Sequence, residues 1–258
     1  MSAKQKITLF VGIVFSITYP SWILAAILSH NNPDSAFVLP LHLLGGASPL
    51  IATLIYLVKT KSYHTYFLRF THLKDIRFLA WLIVSIPILI ALFAQLIITG
   101  HLNLDPEFQR MGIVYAIGLL FFGPIPEEMG WRGVLFDQLY SISFKKAQIY
   151  TAIIWFLWHI PLFFIVGTYQ NALGIFSYEF LFFGIYILIQ SFIMGYLYQV
   201  GMKNLILPIL FHYFVNLFGE MFIRDLWIDL IMILGYVVVL MILMILEKRK
   251  PNLFTLSD

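Results

Sequence analysis

The sequence has no cysteine and little charge: 16 Lys and Arg and 13 Asp and Glu among 258 residues, 11% of the chain. Without cysteine there is no disulfide framework, no thiolate metal site and no cysteine nucleophile. The shortage of charge is unlike a water-soluble domain, in which about a quarter of residues are charged. Several hydrolytic motifs are missing as well. The absence of Gly-x-Ser-x-Gly, Gly-x-Gly-Asp and His-Glu-x-x-His leaves a serine elbow, a paired-aspartate site and a zincin helix without support. There is no internal repeat, no low-complexity run and no polar stretch long enough for a second, soluble domain.

What the chain has in abundance is apolar surface. Hydrophobic residues make up 61% of it, and the mean hydropathy is +0.90. This composition implies an all-α, polytopic integral membrane protein, a single domain over residues 1–258 whose helices enclose an intramembrane cavity. The pI near 9.0 does not point to nucleic acid, because the basic residues lie in short loops between apolar runs. The first run, residues 7–28, exceeds the about 7–15 residues of a signal-peptide core and is expected to stay as a helix. Residues 255–258 carry no lipidation signal.

A span needs about 20 apolar residues. Eight are expected, at residues 6–29, 38–58, 79–99, 112–139, 147–167, 178–200, 204–220 and 227–246. The fourth is interrupted by Pro124 and Pro126, and the seventh is short and holds Pro208. With the N-terminus in the cytoplasm, 14 of the 16 Lys and Arg fall inside and only Arg110 and Arg224 outside. That bias predicts a cell-membrane protein with both termini cytoplasmic. In the inner loop 59–78, Leu68, Phe70, Leu73 and Ile76 alternate with basic residues. This fits either a helix lying on an anionic lipid surface or a plain basic loop.

Three spans carry polar groups where hydrocarbon is expected. The fourth has Glu127, Glu128 and Arg132, the fifth has His159, and the seventh has His212 and Asn216. At a rise of about 1.5 Å per residue, Glu127, His159 and Asn216 each lie about 18 Å from the inner end of their span and His212 about 12 Å. Taken singly, each has an ordinary explanation: a structural ion pair for Glu128 and Arg132, a core histidine for His159, helix–helix glue for Asn216. Trp155 and Trp158 read as apolar mass. As a set at similar depth they point to one functional site, since ionisable groups in a membrane are costly to retain.

Helical spacing divides the set. Glu128 and Arg132 are i,i+4 and can pair. Glu127 points about a third of a turn away, without that partner in its own helix, and suits a general base or acid. His212 and Asn216 are also i,i+4 and can donate two hydrogen bonds toward one point, as an oxyanion clamp requires. Zinc is possible on Glu127, His159 and His212 with a water in fourth place. A metal-independent site is favoured, so no cofactor is expected. His42, His30, His64, His72 and His101 fit no such pattern and read as structural or solvated.

Glu127-Glu128-x-x-x-Arg132, an aromatic residue four before His159, and His212-x-x-x-Asn216 resemble, in order and spacing, the three motifs of the CPBP family. That family holds the type 2 CAAX prenyl proteases and the bacterial Abi proteins tied to bacteriocin immunity. Gly46-Ala47-Ser48-Pro49-Leu50 resembles it more faintly, and the likeness is strongest over residues 110–220. The second motif usually opens with Phe; here it is Trp155. The resemblance implies an intramembrane endopeptidase acting on a peptide or membrane-anchored protein. Glu127 and His159 would activate water, His212 and Asn216 would hold the oxyanion, and Glu128 and Arg132 would support them. The other readings are a non-catalytic immunity or regulatory membrane protein and, less well supported, a proton-coupled transporter.

Overall fold

The computed structural model describes residues 1–32, 34–71, 73–74 and 76–255. His72 and the end of the 255–258 segment lie outside these residues. Among them the fold is helical throughout, with one isolated antiparallel bridge, Leu104 to Phe222, and no strand. Six helices are long and apolar enough to cross a membrane: Ala3–Asn31, Phe78–Thr99, Pro106–Tyr140, Phe144–Phe164, Tyr178–Val200 and Leu226–Arg249. A seventh is the pair Val38–Gly46 and Ser48–Thr60, bent by 47°. The remaining expected span is Ile206–Met221, whose 16 residues fall below a full crossing length. The protein is a multi-pass membrane protein. Its outward side chains agree, with Phe78, Ile113 and Val114 each more than 70% exposed, a surface suited to lipid and not to water.

The residues fall into two compact units, Met1–Tyr66 with Pro126–Ser191, and Phe67–Ile125 with Phe192–Asp258. In the first, Ala3–Asn31 opens with a capping box of Ser2 and Gln5 and packs on the bent pair. Residues 38–58 were expected as one span. The break falls at Ala47 because Pro49 has no N–H to give the carbonyl of Gly45. That carbonyl takes the Thr18 hydroxyl instead, at 3.2 Å. Thr18 also shares a 2.5 Å bond with Ser48 and accepts the Trp158 indole N–H at 2.8 Å. Trp158 is thus the anchor of a buried polar knot, where the sequence suggested plain bulk. Gly45 is needed there, since a Cβ would fall inside the Trp22 indole.

The segment after Pro124 is not one continuous α-helix. Pro124–Gly130 is α-helical, Trp131–Phe136 is a π-helix, and Asp137–Tyr140 returns to α. Thr53 Oγ1 and the Tyr66 hydroxyl both donate to the Met129 carbonyl, at 3.3 and 2.5 Å. Side chains inserted into the backbone ladder are a recognised cause of such a break. Two glycines allow the close approach. A Cβ on Gly130 would lie 2.6 Å from Pro49, and one on Gly133 would overlap the Tyr66 hydroxyl. The helix Phe144–His159 ends at its histidine, where Pro161 turns the chain into the 3-10 segment Ile160–Phe164.

In the second unit, Phe78–Thr99 packs on both Ile206–Met221 and Leu226–Arg249. Gln95 is buried and ties their ends together, donating to the Ile223 carbonyl at 2.7 Å and accepting from Asn103 N–H at 3.3 Å. Among the described residues of the 59–78 segment after the second span, the chain forms the short helix Tyr63–Phe67 and the turn Leu68–Phe70. The spaced apolar residues therefore do not build one continuous amphipathic helix. Arg69 gives its carbonyl to the Leu205 N–H instead.

Candidate active site

The first unit gathers four of the six candidate residues. Glu128 and Arg132 form the expected pair: Arg132 Nη1 lies 3.1 Å from Oε1 and 3.0 Å from Oε2, with both side chains 0% exposed. Arg132 Nη2 donates to Ser191 Oγ at 2.9 Å. Its Nε has no hydrogen-bond acceptor among the described residues. The guanidinium instead covers the Trp155 ring, 4.7 Å from its centroid, a cation–π contact strengthened by the absence of water.

Glu127 is also buried, and its carboxylate is reached from a different helix. Trp155 Nε1 donates to Oε2 at 2.8 Å. Trp155 therefore does more than supply the apolar mass that the sequence suggests. His159, one turn on from Trp155, is buried too. Its Nδ1 lies 2.8 Å from the Trp155 carbonyl. A carbonyl only accepts, so Nδ1 carries a hydrogen; when the ring is neutral, Nε2 is then its basic nitrogen. Trp158 and Phe183 hold the imidazole edge-on, at 4.7 and 5.5 Å between centroids. Trp155 thus touches Glu127 with its side chain and His159 with its backbone.

The second unit holds His212 and Asn216 on Ile206–Met221, His212 buried and Asn216 half-buried. The helix is regular across them, so they share a face as expected. Gly123 meets this face, since a Cβ placed on it would stand 3.6 Å from Asn216 Nδ2. Glu220 continues the same four-residue spacing and accepts a hydrogen bond from the Tyr115 hydroxyl. It belongs to none of the three motifs, although its four-residue spacing from Asn216 is readable in the sequence. Of the other histidines, His30 and His64 are exposed and His101 bonds Asn103 at 3.2 Å. His42 offers its backbone carbonyl to Trp22. Among the described residues no three His, Asp or Glu side chains are grouped so as to hold a metal ion.

Fold and site together define a class: a polytopic helical membrane protein with a buried carboxylate, imidazole and ion pair. Residues 109–218 match the family model described as type II CAAX prenyl endopeptidase Rce1-like, nearly the span over which the motifs run. A CAAX prenyl protease 2 of Methanococcus maripaludis is 30% identical over 237 residues, covering 85% of this chain and 86% of the relative. The chain belongs to the Rce1-like type II CAAX prenyl endopeptidase family.

Proposed function

We propose that the protein hydrolyses a peptide bond within the membrane, with Glu127 as general base and later general acid. Water, hydrogen-bonded to Glu127 and to Nε2 of His159, gives a proton to the carboxylate as its oxygen attacks the scissile carbonyl carbon. The carbonyl electrons move onto oxygen, where hydrogen bonds from His212 and Asn216 stabilise the charge. The oxyanion then collapses, the C–N bond breaks, and the leaving amine takes the proton from Glu127. One product is a carboxylate and the other an amine. Glu128 and Arg132 fix the helix that bears the base.

The observation that carries this reading is that a buried carboxylate, Glu127, and a buried imidazole, His159, are both bonded to Trp155. The roles of His212 and Asn216 rest on their motif and on their shared helix face. The substrate is a peptide or membrane-associated protein; the named relative acts on CAAX prenyl proteins, and a farnesylated CAAX peptide is the first to try. Both termini are placed in the cytoplasm on the distribution of Lys and Arg. The experiment is cleavage of that peptide, with and without its lipid, by purified protein in liposomes. Release of a C-terminal fragment by the wild type, lost in Glu127→Gln, supports the reading. Equal release by Glu127→Gln overturns it.

A further inference from the structure

We propose that Trp155 is a positioning residue of the hydrolytic centre, holding Glu127 in register with His159 through its indole N–H. This rests on the endopeptidase reading above. Three contacts meet in this one residue, and each uses a different part of it. The N–H reaches Glu127 Oε2 at 2.8 Å. The ring face lies under the Arg132 guanidinium, 4.7 Å away. The backbone carbonyl receives the His159 ring hydrogen at 2.8 Å.

A residue that only filled space would need none of these polar contacts. Trp155 is 2% exposed, so water does not compete for its N–H. A hydrogen bond to a charged group in such a setting is stronger than one between neutral groups. It also selects among the rotamers of a carboxylate that has three rotatable bonds. The cation–π contact then links the Glu128–Arg132 pair to the base through the indole. His159 is tied to the same residue through the backbone, so a displacement of Trp155 moves both partners of the water together.

Trp155→Phe isolates the N–H. It keeps a ring for Arg132 and the carbonyl for His159. With the farnesylated peptide and liposome-reconstituted protein, the expected result is a fall in kcat of about ten- to a hundredfold with KM unchanged. An unchanged kcat, or a rise in KM alone, overturns the proposal. Glu127→Gln in the same assay reads the parent reading separately: if Glu127→Gln retains full activity, the base is misassigned whatever Trp155→Phe does. A second arm needs no substrate. Unfolding in SDS is followed for Trp155→Phe, Glu127→Ala and the double variant. A real bond makes the loss on Trp155→Phe about tenfold smaller, as an equilibrium constant, when Glu127 is already gone. Losses that simply add contradict the bond.

Discussion

Trp155 donates its indole N–H to Glu127, 28 residues earlier in the chain, at 2.8 Å. The contact joins two motifs that are separate in sequence. It binds the carboxylate to the residue one helical turn before His159, and the paired glutamates thereby acquire different surroundings. Glu128 forms the ion pair with Arg132 in full burial, and Glu127 accepts the Trp155 indole N–H.

The Glu128–Arg132 pair is expected to be structural. Removing one partner leaves the other charge buried, which costs about 3–5 kcal/mol. Arg132→Leu should therefore lower stability sharply in an SDS or thermal unfolding assay. Glu128→Gln combined with Arg132→Met should recover part of the loss, since the pair removed together strands no charge.

Gly133 tests the close approach of Tyr66. Gly133→Ala is expected to destabilise by about 1–3 kcal/mol through overpacking, because the new methyl meets the Tyr66 hydroxyl. Adding Tyr66→Phe should relieve the clash and narrow the gap, measured by the same unfolding assay.

Glu220 and Tyr115 connect Ile206–Met221 to Pro106–Phe122 within the second unit. Tyr115→Phe is expected to cost about 1 kcal/mol, since a half-buried carboxylate loses a donor. Glu220→Gln, which can still accept from the tyrosine, should cost less. The order of the two midpoints in an unfolding titration checks this.

Much of the candidate site was legible in the sequence because charge and amide groups stand out against apolar runs. Glu127, Glu128, Arg132, His159, His212 and Asn216 were all visible on that ground, and i,i+4 spacing was enough to pair Glu128 with Arg132. The contribution of Trp155 was not legible. Its partner depends on a rotamer and on helix packing that spacing does not encode. The π-helical Trp131–Phe136 was hidden for a similar reason, since it depends on Thr53 and Tyr66 reaching the Met129 carbonyl. Pro49 signalled a disturbance in the second span, but the 47° bend needed Thr18 to accept the role of partner to Gly45. Glu220 was readable, as the next member of the His212 and Asn216 series.

The oxyanion assignment predicts that His212→Ala and Asn216→Ala each lower kcat by about 10²–10³ while leaving peptide binding intact. Steady-state kinetics with the farnesylated peptide, together with binding of an uncleavable analogue, separate the two effects.

A metal-independent reaction predicts that exhaustive dialysis against a chelator leaves the rate unchanged. Loss of activity that zinc alone restores would assign a metal role to Glu127, His159 or His212.

The most direct test is the rate of peptide-bond cleavage by Glu127→Gln protein that is shown to be folded by an unfolding transition like the wild type's. The account predicts a fall of about 10²–10⁴, the range expected for loss of a general base. Cleavage by Glu127→Gln at the wild-type rate would contradict it.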